Sequence, residues 1–229
     1  TEVDRLFQTF QYGEAGRQIY EFFWSEYADW YLEIAKLQMN EGGDRAYYTA
    51  ETLVRVFDAV LRMLHPFTPF VTEELWGHLK RAVHAHGPSL PEVTDWPEAL
   101  MLASWPTARP AEGWEAQTIA DFELVMDVIR AIRNLRAEKK VTPGKRIPAT
   151  ICAGERLAAL EAQRGSIAYL AYLDAEHLTL TGAVAEAPQG QAALVVSGVE
   201  IYLPLAELVN VEEERARLSK ELEEAQSQV

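Results

Sequence analysis

With 229 residues, 48% of them hydrophobic, the chain is long enough for one large domain or two ordinary ones and apolar enough to build a core. Its formal net charge of -14 at pH 7 argues against unspecific binding to polyanions, because a strongly acidic surface repels phosphate at long range; a nucleic-acid role therefore needs a local basic patch. A single cysteine, Cys152, excludes an internal disulfide framework and a cysteine-cluster zinc site, and no apolar run reaches the roughly eighteen residues of a membrane span.

The first residues have neither the charged start nor the apolar centre of a secretory signal, which makes a cytoplasmic location the expectation. With a start that lacks methionine and an end inside a helical pattern, the expectation is a piece of a longer protein.

In chain order, Ile19, Phe23, Tyr27, Trp30, Ile34 and Leu37 step by three or four, which predicts one amphipathic helix over Ala15 to Met39 with an aromatic inner face. Gly42-Gly43 ends it, and a second helix over Arg45 to Leu64 packs back antiparallel. His65-Pro66 stops that helix, His65 capping its end with a ring hydrogen bond. Thr68-Pro69 starts a third that runs to Val83, with the threonine hydroxyl as cap and Glu73 and Glu74 as solvated acids suited to its first turns.

The prolines between Ala85 and Pro110 make a connecting loop, with Leu100 to Ser104 as an apolar tether. A fourth helix spans Glu112 to Lys140, its inner face set by Ile119, Phe122, Val125, Met126, Ile129 and Ile132, and Pro143-Gly144 closes it. Four short β-rich runs follow, Ile147–Cys152, His177–Thr181, Ala192–Ser197 and Glu200–Leu203. Ser197-Gly198 reads as a hairpin turn, and Leu157 to Leu173 is helical in pattern. From Leu208 to Val229, three- and four-residue steps read either as the start of a coiled-coil arm or as an amphipathic helix packed on the body.

The expected architecture is mainly α. A helical bundle spans 1–110, a long helix with a small α/β unit spans 111–207, and a coiled-coil helix begins over 208–229.

Residue types that carry chemistry are present but poorly placed for it. His84-Ala-His86 lacks a third metal ligand, Cys152 reads as a buried strand residue, and phosphate-loop, serine-hydrolase and zinc-protease motifs are absent. No catalytic or metal site is expected. One charge cluster departs from the acidic background: between Val128 and Pro148, Arg130, Arg133, Arg136, Lys139, Lys140, Lys145 and Arg146 face a single acid, Glu138. Arg133, Arg136 and Lys140 step by three and four, so they are expected to share a face opposite the buried one. That face is either solvated or a site for RNA phosphates and unstacked bases.

Phe22 to Lys36, Arg62 to Trp76 (RMLHPFTPFVTEELW) and Ser104-Trp-Pro106 together resemble the anticodon-binding domain of class I aminoacyl-tRNA synthetases. Ile132-Arg-Asn-Leu-Arg136, Pro143-Gly-Lys145 and Leu218-Ser-Lys-Glu-Leu222 resemble the valyl branch of that family more than the isoleucyl or leucyl ones. The resemblance covers essentially the whole chain. It implies the anticodon-recognition part of an ATP-dependent, monomeric ligase that joins valine to tRNA, with ATP used by domains carrying the HIGH and KMSKS signatures absent here, and no cofactor in this part. It also implies that the domain's first helix precedes this chain, and that the coiled-coil arm braces the tRNA elbow. Near the start it brings Phe10, Tyr12 and Arg17 toward the anticodon loop, although a hydrophobic staple explains Phe10 equally well.

Overall fold

The computed structural model, described over residues 1–86, 96–183 and 189–208, divides the chain into two units, Thr1–Pro110 and Ala111–Val229. In the first unit α1 (Glu2–Gln8) is followed by α2 (Tyr12–Glu21), a π-helical segment (Phe22–Tyr31) and α3 (Leu32–Glu41) in one unbroken helical run. The sequence predicted a uniform α-helix here; instead the middle of the run is wound more widely. That segment, FFWSEYADWY, is dense in aromatic rings, and the wider winding accompanies a stack of Phe23 on Tyr27 at 5.9 Å between ring centroids.

Gly42, at φ 73°, turns the chain into α4 (Gly43–Leu64). The two runs are antiparallel, because partners descend on one as they ascend on the other. Gln38 accepts from the Thr49 hydroxyl at 2.9 Å, Tyr27 donates to the Leu53 carbonyl at 3.0 Å, and Phe23 stacks on Phe57 at 6.1 Å. Tyr27 and Trp30 are therefore core residues, and burial pushes the Tyr27 phenol up to about 12.

The corner into α5 (Pro69–His86) is built differently from its sequence reading. His65 stands at the end of α4 with its amide on the Leu61 carbonyl, but its ring does not cap that helix: Nδ1 lies 2.8 Å from the Thr72 hydroxyl of α5, tying the two helices together across the prolines. The Thr68 hydroxyl donates back to the Leu64 carbonyl at 3.3 Å and so serves the end of α4. Trp76 then enters a cluster with Leu61 and Leu100, packed by Phe57, Leu79 and Trp96.

Glu73 is not a solvated first-turn acid. It is half-buried, and its carboxylate accepts from the Leu100 and Met101 amides at 2.8 and 3.3 Å, fixing the 3-10 turn Leu100–Leu102 against α5. Glu74 remains exposed, 3.1 Å from the His78 ring. Replacing Glu73 by alanine leaves two amides without their charged acceptor; a loss of about 1.5–3 kcal/mol is expected in denaturant unfolding, with faster hydrogen exchange at Leu100 and Met101.

The second unit comprises α6 (Glu115–Glu138), β1 (Ile147–Cys152), α7 (Leu157–Ala162), α8 (Arg164–Leu170), β2 (Leu173–Thr181), β3 (Gln191–Val196), β4 (Val199–Pro204) and a short α9 (Leu205–Leu208). The strands form one sheet in the order β2-β1-β4-β3, with β1 and β2 parallel and the other pairs antiparallel. The register aligns Leu194, Ile201, Ile151 and Leu180 across the sheet on its inner face, while Ala193, Tyr202, Thr150 and Thr179 line the other.

Helix α6 buries Leu124, Val125, Val128, Ile129, Ile132 and Leu135, whereas Ile119, an expected core position, is 58% exposed. Its first turns extend beyond the residues that pack, so the stripe read from sequence begins too early. The β3–β4 hairpin turns on Ser197 and Gly198 at φ 50° and 81°, the two left-handed positions of a type I′ turn, and the Ser197 hydroxyl donates to Asp127 at 3.0 Å. The expected arm beyond Leu208 lies outside the described residues.

Candidate nucleic-acid interface

The basic stretch is shaped by the way α6 ends. Lys140 takes a left-handed conformation at φ 53°; its amide donates to the Ala137 carbonyl at 3.1 Å, and the Val141 amide reaches the Arg136 carbonyl at 2.9 Å. This is a Schellman ending with lysine where glycine is usual. Next, Thr142-Pro143-Gly144-Lys145 closes through the Lys145 amide and the Thr142 carbonyl at 3.1 Å, with Gly144 at φ 79°. Proline followed by a left-handed glycine defines a type II turn, which sets β1 on its course.

Within this frame the seven cations separate into two groups, which corrects the single-face reading. Arg136 is only 7% exposed; its Nη1 and Nη2 donate to the Tyr172 and Lys145 carbonyls at 3.3 and 2.6 Å, and its guanidinium sits 5.9 Å from the Tyr172 ring. Burial lowers its pKa from the usual arginine value. Arg133 is exposed, yet its Nε donates to the Leu170 carbonyl at 2.7 Å, and Arg146 donates to the Leu173 carbonyl at 3.0 Å.

Three guanidinium groups thus converge on the carbonyls where α8 ends and β2 begins, the negative end of a short helix dipole. Lys140 lies past the end of α6 and shares no helical face with the arginines.

The second group is exposed: Lys139, Lys140 and Lys145, with Arg130 further back along the helix. Lys139 pairs with Glu138 at 2.9 Å, Lys145 with Glu207 at 2.7 Å and Arg130 with Asp127 at 3.3 Å. Two of these acids come from outside the basic stretch, one of them from far along the chain, so the local positive excess is smaller than the sequence implied. Such exposed pairs are weak and are exchanged readily for phosphate.

In the first unit, α1 ends in the same manner. Phe10 is left-handed at φ 58°, its amide donating to Phe7 at 3.1 Å while the Gln11 amide reaches Leu6 at 2.8 Å. Phe10 is 77% exposed, so the staple reading is excluded; Tyr12 is 47% exposed, its ring 6.1 Å from Phe10 and 5.6 Å from Phe7. Phe7 also packs edge-on against Phe67 and Trp105, whose indole donates to Asp4 at 2.8 Å. Arg17 is exposed and bound to Glu14 and Glu21, whose carboxylates raise its pKa.

Thr9-Phe10-Gln11 contains no glycine or proline, so the tight end of α1 carries no local signal in the sequence. Among the described residues no cluster of three His, Cys, Asp or Glu is placed to hold a metal, and no described helix is long and apolar enough to cross a membrane.

Residues 1–151 match the family model of the anticodon-binding domain of tRNA ligase. The chain belongs to this family. The matched region takes in the whole first unit, α6, the basic turn and nearly all of β1, so the left-handed helix ends at Phe10 and Lys140 lie inside the anticodon-binding domain as the family defines it, whereas a third, at Tyr172 after α8, lies beyond it. The chain is 38% identical over 231 residues to the valine-tRNA ligase of Symbiobacterium thermophilum, covering 96% of this chain and 25% of that protein. It is 35% identical over 219 residues to that of Bacillus cereus (95% and 23%) and 33% identical over 230 residues to that of Bacillus subtilis (99% and 24%). The chain therefore spans about a quarter of the length of these relatives.

Proposed function

We propose that this chain recognises the anticodon stem and loop of a tRNA as part of a valine-tRNA ligase, an enzyme that uses ATP elsewhere in its polypeptide to join valine to that tRNA. Membership of the anticodon-binding family is the observation that carries the reading, and the left-handed helix ends at Phe10 and Lys140 support it. A non-glycine residue in this conformation costs about 1–2 kcal/mol, and such strain concentrates where a side chain must be presented. Here one helix end presents an aromatic ring, Phe10, and the other a cation, Lys140, whose side chain makes no hydrogen bond or ion pair among the described residues.

Unstacked loop bases stack on aromatic faces and phosphates pair with lysines. Phe10 and Tyr12 are assigned to bases, and Lys139, Lys140, Lys145 and Arg146 to the backbone. Arg130 and Arg17 are assigned to phosphates in exchange for their present carboxylate partners, and Arg133 in addition to its carbonyl bond. Arg136 is withdrawn from direct contact by its burial. The valine assignment rests on the relatives' identity over nearly the whole chain.

The test is a titration of the chain with valine-accepting tRNA at rising salt. Affinity is expected to fall log-linearly with salt, and Lys140→Gln is expected to reduce the slope by about 0.7–0.9, the share of one phosphate contact. Absence of binding at low salt, or an unchanged slope in the variant, would sink the assignment.

A further inference from the structure

We propose that Arg136 is a positioning residue for the basic turn: it takes no phosphate itself but holds the turn 142–145 at the angle from which Lys145 and Lys140 meet RNA. This rests on the RNA reading above. An arginine 7% exposed has no face to offer a polyanion. A cation so enclosed must be compensated, and no carboxylate lies within ion-pair reach of it among the described residues; the compensation comes from carbonyl dipoles.

The two carbonyls belong to different turns. Nη2 is bonded at 2.6 Å to the carbonyl of Lys145, and Nη1 at 3.3 Å to that of Tyr172, itself left-handed at φ 54°. The same Tyr172 carbonyl accepts the Ile147 amide at 3.3 Å, where β1 leaves the basic turn. Arg136 is thus a planar strut between the turn that carries the lysines and the start of β2, and its own carbonyl closes the helix end that presents Lys140. The Lys145 side chain leaves the turn toward Glu207 at 2.7 Å, an exposed pair that phosphate can displace. An ammonium at position 136 keeps the charge but lacks the fork that spans two carbonyls at fixed separation.

The measurement is tRNA affinity against salt for the unchanged chain, Arg136→Lys, Arg136→Gln, Lys145→Gln and the Arg136→Gln/Lys145→Gln pair. With positioning, Arg136→Lys loses as much affinity as Arg136→Gln despite its charge, and both lower the salt slope by about 1.5, the share of two lysine contacts. Lys145→Gln then costs less in the Arg136→Gln background than alone, because its contact is already gone. Gly144→Val, which disturbs the left-handed position of the same turn without touching the guanidinium, is expected to reproduce the slope change, and it carries the test if the Arg136 variants do not fold.

Near-unchanged affinity in Arg136→Lys with a slope drop of about one in Arg136→Gln would mean a direct phosphate contact and overturn the proposal. So would additive costs, or an unchanged slope in Gly144→Val. If the unchanged chain binds no tRNA, the RNA reading itself has failed.

Discussion

Trp76→Ala is expected to destabilise the first unit by about 3–5 kcal/mol, the range for removing a large buried aromatic side chain. The indole is 1% exposed, lies against Leu61 and Leu100, and meets Trp96 at 5.7 Å. Its Nε1 donates to Asp58 at 2.7 Å, and Lys80 sits 4.5 Å above its ring while donating to the Pro97 carbonyl at 2.7 Å. One substitution therefore opens a cavity, removes one partner of a half-buried carboxylate and loosens the segment 96–102 together. For a unit of this size the melting temperature should drop by more than about 10 °C. Trp76→Phe keeps most of the volume and loses the hydrogen bond, so its cost should be about 1–2 kcal/mol. If calorimetry shows the alanine variant melting within a few degrees of the unchanged chain, Trp76 does not organise this core as its contacts indicate.

The triple replacement Lys139→Gln, Lys140→Gln and Lys145→Gln is expected to weaken tRNA binding by about 10²-fold at 0.1 M salt, since each phosphate contact contributes about 0.7–0.9 to the log-log slope. Exposed ion pairs with Glu138 and Glu207, each worth about 0–1 kcal/mol, and the exposed Lys145 bond to the Glu207 carbonyl are lost, so the melting curve should hardly move. The combination of an intact fold with lost binding and a slope reduced by two or more separates an RNA-facing turn from a merely solvated one. Binding within about twofold of the unchanged chain would assign the RNA surface elsewhere.

Local chemistry made much of the fold legible. Gly42-Gly43 and His65-Pro66 end helices, whereas Pro143-Gly144 makes the turn after α6, which is closed before it, at Lys140; in each pair an absent Cβ or a missing amide acts on the chain's own backbone. Ser197-Gly198 is a hairpin for the same reason, and β1 was readable to the residue because its alternation is strict. The π winding over Phe22–Tyr31 was not legible, since spacings of three and four fit either helix type.

The site was less legible than the fold. The sequence located the basic stretch, but periodicity cannot distinguish an arginine that faces water from one folded over by a turn 36 residues away, as happens to Arg136. Nor could it foresee that Asp127 and Glu207 would come to Arg130 and Lys145 from outside the stretch.

By itself, then, the sequence determined the order of the main elements from Ala15 onward, the stops at Gly42-Gly43 and His65-Pro66, the family, and the concentration of positive charge at the end of α6, all properties of residues and their near neighbours. Only the tertiary structure decided which charges are available. Glu73 became a clamp on Leu100 and Met101, and Arg136 a strut between two turns, because each found backbone partners far along the chain. A buried ion is stable only where such partners converge on it, and convergence belongs to the folded chain alone.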